Sequence, residues 1–175
     1  MSAKKVKSVV EKSGYAAAPK PARDEFKSAR IALLATRWNL EIVDALLQGA
    51  HACLKDWGVA AKHIDEFRTP GAFELPLAAS ALMKSGRYDA VVVLGAVIRG
   101  DTPHFEIVAG EASRGLREAS QKHQIALGFG LLTVNTPQQA QIRCAPGKGN
   151  KGYEATEAAL EMIRLQKTIN KLGDR

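Results

Sequence analysis

The segment Ala90–Ile98 has an apolar side chain or glycine at every position, so it predicts a strand that is buried on both faces. Such a strand belongs in the middle of a parallel sheet, because helices have to cover both of its faces. From Arg30 onward, short apolar segments alternate with longer segments whose apolar residues recur at helical spacing. Short connections between them imply right-handed crossovers. The pattern predicts a three-layer α/β/α sandwich, flavodoxin-like, with a four-stranded parallel sheet in the order 2-1-3-4.

The predicted elements occupy most of the chain after residue 29. The predicted strands are Ile31–Ala35, Ala61–Phe67, Ala90–Ile98 and Ile125–Val134. The predicted helices are about Leu40–Trp57, Phe73–Lys84 and Pro103–Lys122, then a short helix after Pro137 and a long last helix that ends near Lys171. Residues 1–29 are predicted to form a flexible or extended N-terminal leader, because Pro19 and Pro21 break any helix there. Residues 30–175 form the predicted folded domain.

The second predicted helix, Phe73–Lys84, has almost no polar face. A helix that is apolar all round has to be buried on all sides, whereas an outer helix of a small sandwich has one side open. Burial against a second copy of the chain resolves this and predicts a homo-oligomer. The alternative is that the N-terminal leader covers the helix.

Composition excludes several classes of protein. The formal net charge of +7 is concentrated at the two ends of the chain, and no basic face with interleaved aromatic residues is visible. We therefore expect no nucleic-acid partner. The apolar runs are too short for a membrane helix, and no secretory signal is visible, so a cytoplasmic location is expected. With two cysteines and no set of residues at metal-ligand spacing, we expect no metal site.

The loop after the third predicted strand favours an anion site. Ligands of open parallel sheets bind beyond the carboxyl ends of the strands. There, Asp101 or Thr102 can cap the next helix, Pro103 suits its first position, and the open backbone N–H groups attract phosphate. Arg99 adds positive charge. His104 is placed to pass protons beside the anion, although an exposed histidine on a capped helix is the simpler explanation.

Two other loops at the same edge favour a planar heterocycle. Trp38 follows the first strand and suits ring stacking, but a lid over the core explains it about equally well. Glu74 is either an acid favoured by the helix dipole or a hydrogen-bond partner for a polar ligand. Gly71 permits close backbone contact, so the backbone of Ala72 could pair with the amide edge of a ring.

Three motifs in this order resemble the lumazine synthase (6,7-dimethyl-8-ribityllumazine synthase) family: Pro70–Pro76, Gly95–Phe105 and Gly149–Gly152. The resemblance runs from about Arg30 to Lys171. It implies a transferase that condenses 5-amino-6-(D-ribitylamino)uracil with 3,4-dihydroxy-2-butanone 4-phosphate. The products are 6,7-dimethyl-8-ribityllumazine, phosphate and water, in the penultimate step of riboflavin biosynthesis. The resemblance implies that no cofactor and no metal are needed.

The resemblance also implies a role for each site residue. His104 is the catalytic proton donor and acceptor, and Phe129 is an aromatic contributed by an adjacent subunit. The pyrimidine substrate is bound by Trp38, Ala72, Phe73, Glu74, Ala96, Val97, Ile98 and Phe129, and the phosphate substrate by Asp101, Thr102 and Arg143. The implied assembly is a homopentamer, which some members build into decamers or sixty-subunit icosahedral shells. The alternative is a flavin- or lumazine-binding or storage protein on the same scaffold with little catalysis.

Overall fold

A computed structural model describes residues 19–173 and shows one parallel sheet with helices on both faces. The strands are β1 (Ile31–Thr36), β2 (Ile64–Thr69), β3 (Ala90–Ile98) and β4 (Ala126–Val134). The helices are α1 (Leu40–Asp56), α2 (Leu75–Lys84), α3 (His104–His123), α4 (Pro137–Arg143) and α5 (Lys151–Gly173). The order of the strands is β2-β1-β3-β4, so the predicted fold and sheet order are confirmed.

The alternating side chains of β3 divide the core into two parts. Val92 and Leu94 pack with residues of α1 and α5, whereas Val91 and Val93 pack with residues of α2 and α3. The strand lies between β1 and β4, and its first seven residues are fully buried. An apolar residue at every position is therefore what this central strand requires, because neither of its faces meets water.

The second strand and the second helix both begin later than predicted. Ala61–His63 forms a short 3-10 helix, so β2 begins later and continues to Thr69. This strand lies at one edge of the sheet, and the charged side chains along it are typical of an edge that does not pair further. Helix α2 begins at Leu75 rather than Phe73, with Pro76 in its first turn, where a missing N–H costs nothing.

The described part of the predicted leader packs on its own chain. Phe26 is buried, and its ring meets the edge of Trp57 at a centroid distance of 5.2 Å. The guanidinium of Arg164, on α5, lies over both rings and binds the carboxylate of Glu25 at 2.6 and 3.1 Å. The rest of the predicted leader, residues 1–18, lies outside the described residues. The domain boundary at residue 30 stays a prediction.

The outer face of α2 is open. Leu75, Ala79 and Met83 are buried against the sheet and α3, whereas Leu77 is 79% exposed and the preceding Phe73 is 55% exposed. The described leader residues pack with α1 and α5, on the other side of the sheet. Residues 19–29 therefore do not cover this helix.

Candidate active site

Backbone and side-chain hydrogen bonds tie together the loops that follow the strands. The N–H of Arg37 donates to the carbonyl of Thr69 at 3.0 Å, which joins the ends of β1 and β2. The side-chain amide of Asn39 donates to the carbonyl of Ala96 on β3 at 3.1 Å. Because parallel strands end at one edge of the sheet, these bonds bring the loops that carry Trp38 and His104 to neighbouring positions. We call this edge the rim.

Trp38, Gly71 and Glu74 form one cluster at the rim. A methyl group on Gly71 would lie 3.3 Å from Cδ1 of Trp38 and 3.2 Å from Oε2 of Glu74, so the indole and the carboxylate both approach this glycine. The indole is 71% exposed, so it does not form a lid over the core. An open aromatic face beside a carboxylate suits a planar ring that carries N–H groups.

The neighbouring predicted residues form the walls of this cluster. Ala72 and Phe73 lie between Gly71 and Glu74, and the ring of Phe73 is largely exposed. Ala96, Val97 and Ile98 form the last part of β3, where burial decreases toward the rim. The seven predicted pyrimidine-binding residues other than Phe129 therefore all lie at the rim, where β1, β2 and β3 end.

The predicted anion loop lies between β3 and α3 and is exposed. Helix α3 begins at His104, and of the two predicted caps Thr102 makes the contact, since its hydroxyl accepts from the N–H of His104 at 3.4 Å. Asp101 makes no such bond. The first turn of a helix presents backbone N–H groups that attract anions. The positive charge expected of Arg99 is not free, because its guanidinium is paired with the carboxylate of Glu106.

Phe129 and Arg143 lie together, but not with the rim cluster. Phe129 pairs with Val93 in the middle of β4, five residues before the strand ends at Val134, so it lies about 16 Å from the rim along the strand. Its ring is 45% exposed at the edge of the sheet. With Arg143 it lines a groove of about 490 Å³ between β4 and α5, and no rim residue named above lines that groove.

The same groove contains Lys151 and Glu154, which the sequence did not single out as site residues. They form an ion pair in the first turn of α5, beside Arg143. The available signal was the position of Lys151 inside the Gly149–Gly152 motif, directly after the segment that carries Arg143.

Asn150 explains this glycine- and lysine-rich segment. It is 1% exposed, and its Oδ1 accepts from the N–H groups of Gly152 and Tyr153 at the start of α5. Its Nδ2 donates to the carbonyls of Cys144 at 2.7 Å and Ala45 at 3.1 Å. The segment therefore caps α5 and fixes it to the end of α4 and to α1, and thus sets where Arg143 and Lys151 lie.

A family model described as 6,7-dimethyl-8-ribityllumazine synthase matches residues 28–167. The chain belongs to this family. Proteins named 6,7-dimethyl-8-ribityllumazine synthase from Desulfovibrio desulfuricans and Chlorobium phaeovibrioides are 46% and 43% identical to it, each over 82% of this chain and 92% of the relative. One from Gemmatimonas aurantiaca is 49% identical over 78% of this chain and 83% of the relative.

Membership of the 6,7-dimethyl-8-ribityllumazine synthase family confirms the predicted resemblance and, with it, a transferase of riboflavin biosynthesis. Cys53 and Cys144 are both buried, and burial raises the pKa of each thiol, so neither is an activated nucleophile. Residues 19–173 contain no group of three potential metal ligands and no helix able to span a membrane.

Proposed function

We propose that the chain condenses 5-amino-6-(D-ribitylamino)uracil with 3,4-dihydroxy-2-butanone 4-phosphate, releasing 6,7-dimethyl-8-ribityllumazine, phosphate and water. The observation that carries the proposal is the grouping at one rim of an exposed indole, a carboxylate and a histidine at a helix start. These groups match the needs of two different substrates, since a pyrimidine ring stacks on an aromatic face and a phosphate binds at a helix N-terminus.

Each rim group takes a role that fits its position. Trp38 stacks on the pyrimidine ring, and Glu74 accepts hydrogen bonds from the N–H groups of the same substrate. Asp101 and Thr102 form the loop around the phosphate, next to the first N–H groups of α3. His104 transfers protons during imine formation, phosphate loss and ring closure, because each of these steps moves a proton. Holding both substrates side by side supplies much of the remaining acceleration.

The active site is completed by a second copy of the chain. Phe129 lies in the groove beside β4, too far along that strand to join the rim of its own subunit, and Arg143 lines the same groove. The exposed apolar face of α2, which includes Leu77, is directly beside the rim and requires cover. Contact between the rim side of one subunit and the groove side of the next uses two different surfaces, and repetition of such a contact forms a ring when the rotation between subunits closes.

We propose that this ring is a homopentamer with one active site at each subunit interface, of the kind that can assemble further into decamers or shells. A cytoplasmic location fits the chemistry, because a phosphorylated substrate carries charge and does not cross membranes freely. The leader, residues 1–29, is outside the proposed catalytic machinery.

The primary test is turnover of the purified protein with both substrates, followed by the fluorescence of the lumazine product. His104→Ala should lower kcat by about 10²–10⁴-fold, the usual share of general acid–base catalysis. The matched control is His123→Ala, at the other end of α3 and about 28 Å along the helix, which should leave kcat unchanged. A yellow protein that binds flavin or lumazine but makes no product would support the storage function instead.

The shared site has its own test, which uses mixed oligomers. Subunits carrying His104→Ala and subunits carrying Arg143→Ala are each expected to be nearly inactive alone. When the two are denatured and reassembled together, about a quarter of the interfaces should pair an intact His104 with an intact Arg143 from the neighbour. Activity should return in that proportion. A mixture no more active than its components would refute an active site shared between subunits.

A further inference from the structure

Arg99 is the first residue after β3, and its side chain contacts three other residues at the rim. Its Nε donates to Oδ1 of Asn135, after β4, at 2.9 Å. Its Nη1 donates to the carboxylate of Glu106 in the first turn of α3. The guanidinium also lies over the ring of Phe105, with Cζ 4.2 Å from the ring centroid. One side chain therefore joins the ends of two strands to the start of the helix that begins with His104.

The loop that Arg99 spans has few ties of its own. Nothing lies within 4 Å of a methyl group placed on Gly100, so this part of the loop is surrounded by open space. Pro103 precedes the helix without a side-chain cap, and the contact from Thr102 to the N–H of His104 is long at 3.4 Å. The first turn of α3 is therefore held mainly through Phe105 and Glu106, by contacts that Arg99 makes.

The positive charge of Arg99 is neutralised by Glu106, and its contacts with Glu106, Asn135 and Phe105 together form one network. The hydrogen bond from Arg99 lowers the pKa of the Glu106 carboxyl, so Glu106 is ionised at neutral pH and neutralises the guanidinium. A planar guanidinium bonds acceptors along its edge while its face stacks on a ring, whereas a lysine ammonium has no planar face to stack. The geometry thus uses features that only arginine has.

We propose that Arg99 is a positioning residue of the condensation reaction, which fixes the anion loop and the first turn of α3 so that His104 meets its substrate. This inference rests on the proposed function. It assigns Arg99 no direct contact with either substrate. A displacement of about 1 Å at a reacting group can cost about 100-fold in rate, so loss of the network should act on kcat.

Steady-state kinetics of single and double variants test this. Arg99→Gln should lower kcat by about 10–100-fold while KM for the ribitylaminouracil changes less than about threefold. Glu106→Gln, which keeps the arginine charge, should lower kcat by a similar factor. The double variant should be no worse than either single variant, because both remove one network. Arg99→Lys should recover only part of the rate, and Asn135→Ala should lose less than Arg99→Gln.

A direct role for Arg99 in binding the phosphate substrate predicts a different result. Glu106→Gln would then free the guanidinium and lower KM for the phosphate substrate without loss of kcat, and Arg99→Gln would raise that KM alone. Either outcome overturns the proposal, as does wild-type kcat in Glu106→Gln. The control is Arg114→Gln, which removes the same charge from α3, where Arg114 has only an exposed pair with Glu111 at 3.6 Å. Thermal unfolding of each variant confirms that native proteins are compared.

Failure of this inference is distinguishable from failure of the proposed function. If the wild-type protein makes no lumazine product, the proposed function is wrong. If the wild type turns over normally and Arg99→Gln and Glu106→Gln do the same, only the positioning role of Arg99 is wrong.

Discussion

Replacing Asn150 by alanine should destabilise the protein far more than a polar-to-alanine change at the surface. The substitution removes the two N–H donors that bond the carbonyls of Ala45 and Cys144, and it removes the acceptor for two N–H groups at the start of α5. Since Asn150 is 1% exposed, water does not replace these bonds without local opening of the structure.

The size of the effect follows from these groups. The buried carbonyl of Cys144 loses its donor, which costs about 1.5–2 kcal/mol, while the carbonyl of Ala45 keeps its helical partner in α1 and loses a second bond worth about 0.5–1 kcal/mol. Loss of the helix cap costs about 1 kcal/mol. We therefore expect Asn150→Ala to lower the free energy of unfolding by about 3–4 kcal/mol and Tm by about 10 °C for a chain of this length. Asn150→Asp keeps the acceptor and removes the donors, so it should lose most of the same free energy at neutral pH.

Urea unfolding at a fixed protein concentration measures the difference, because assembly makes stability depend on concentration. The matched control is Asn170→Ala, at an exposed position on the same helix, which should stay within about 0.5 kcal/mol of the wild type. A loss below 1 kcal/mol in Asn150→Ala would refute the reasoning, because it would mean that the four bonds to Asn150 do not contribute to stability as a group.

Three further predictions use other parts of the structure. Gly71→Ala places a methyl group against the indole and the carboxylate of the rim cluster, so KM for the ribitylaminouracil should rise about 10-fold with Tm unchanged, as kinetics and thermal melts would show. The bond from Arg164 lowers the pKa of Glu25 from 4.5, so Glu25→Gln should lower Tm at pH 7. That difference should shrink as the pH falls below 4.5 through the folded-state pKa, because the wild-type carboxylate is then protonated and loses the same interaction. The thiols of Cys53 and Cys144 have raised pKa values and are buried, so an aromatic disulfide reagent at pH 8 should label them only after denaturation, and rapid labelling of the native protein would contradict this.

Much of the fold could be predicted because its signals are local. The uninterrupted apolar run of β3 requires cover on both faces, and the apolar stripe of α3 requires one buried side, so each reports its own environment. The β2 boundary was missed because the choice between a 3-10 turn and a strand at Ala61–His63 depends on pairing with β1, which begins only at Ile64.

The rim residues could also be located in advance, since the carboxyl ends of parallel strands share an edge whatever the details of packing. The partners of those residues could not. Arg99 was expected to offer its positive charge to an anion, but it is paired with Glu106 of the same chain. The sequence alone does not distinguish an arginine that binds a ligand from one that pairs with a neighbouring carboxylate. Phe129 and Arg143 were predicted only from the family resemblance, because they line the groove beside β4 and not the rim.

The sequence by itself determined the alternation of strands and helices, and therefore which loops meet at the rim. Only the tertiary structure decided how α5 sits against α1. A methyl group on Gly152 would lie 1.9 Å from the carbonyl oxygen of Leu46, and Asn150 reaches Ala45, 105 positions earlier in the chain. Contacts between segments so far apart depend on how two finished helices pack, and a local pattern of residues contains no information about that distance.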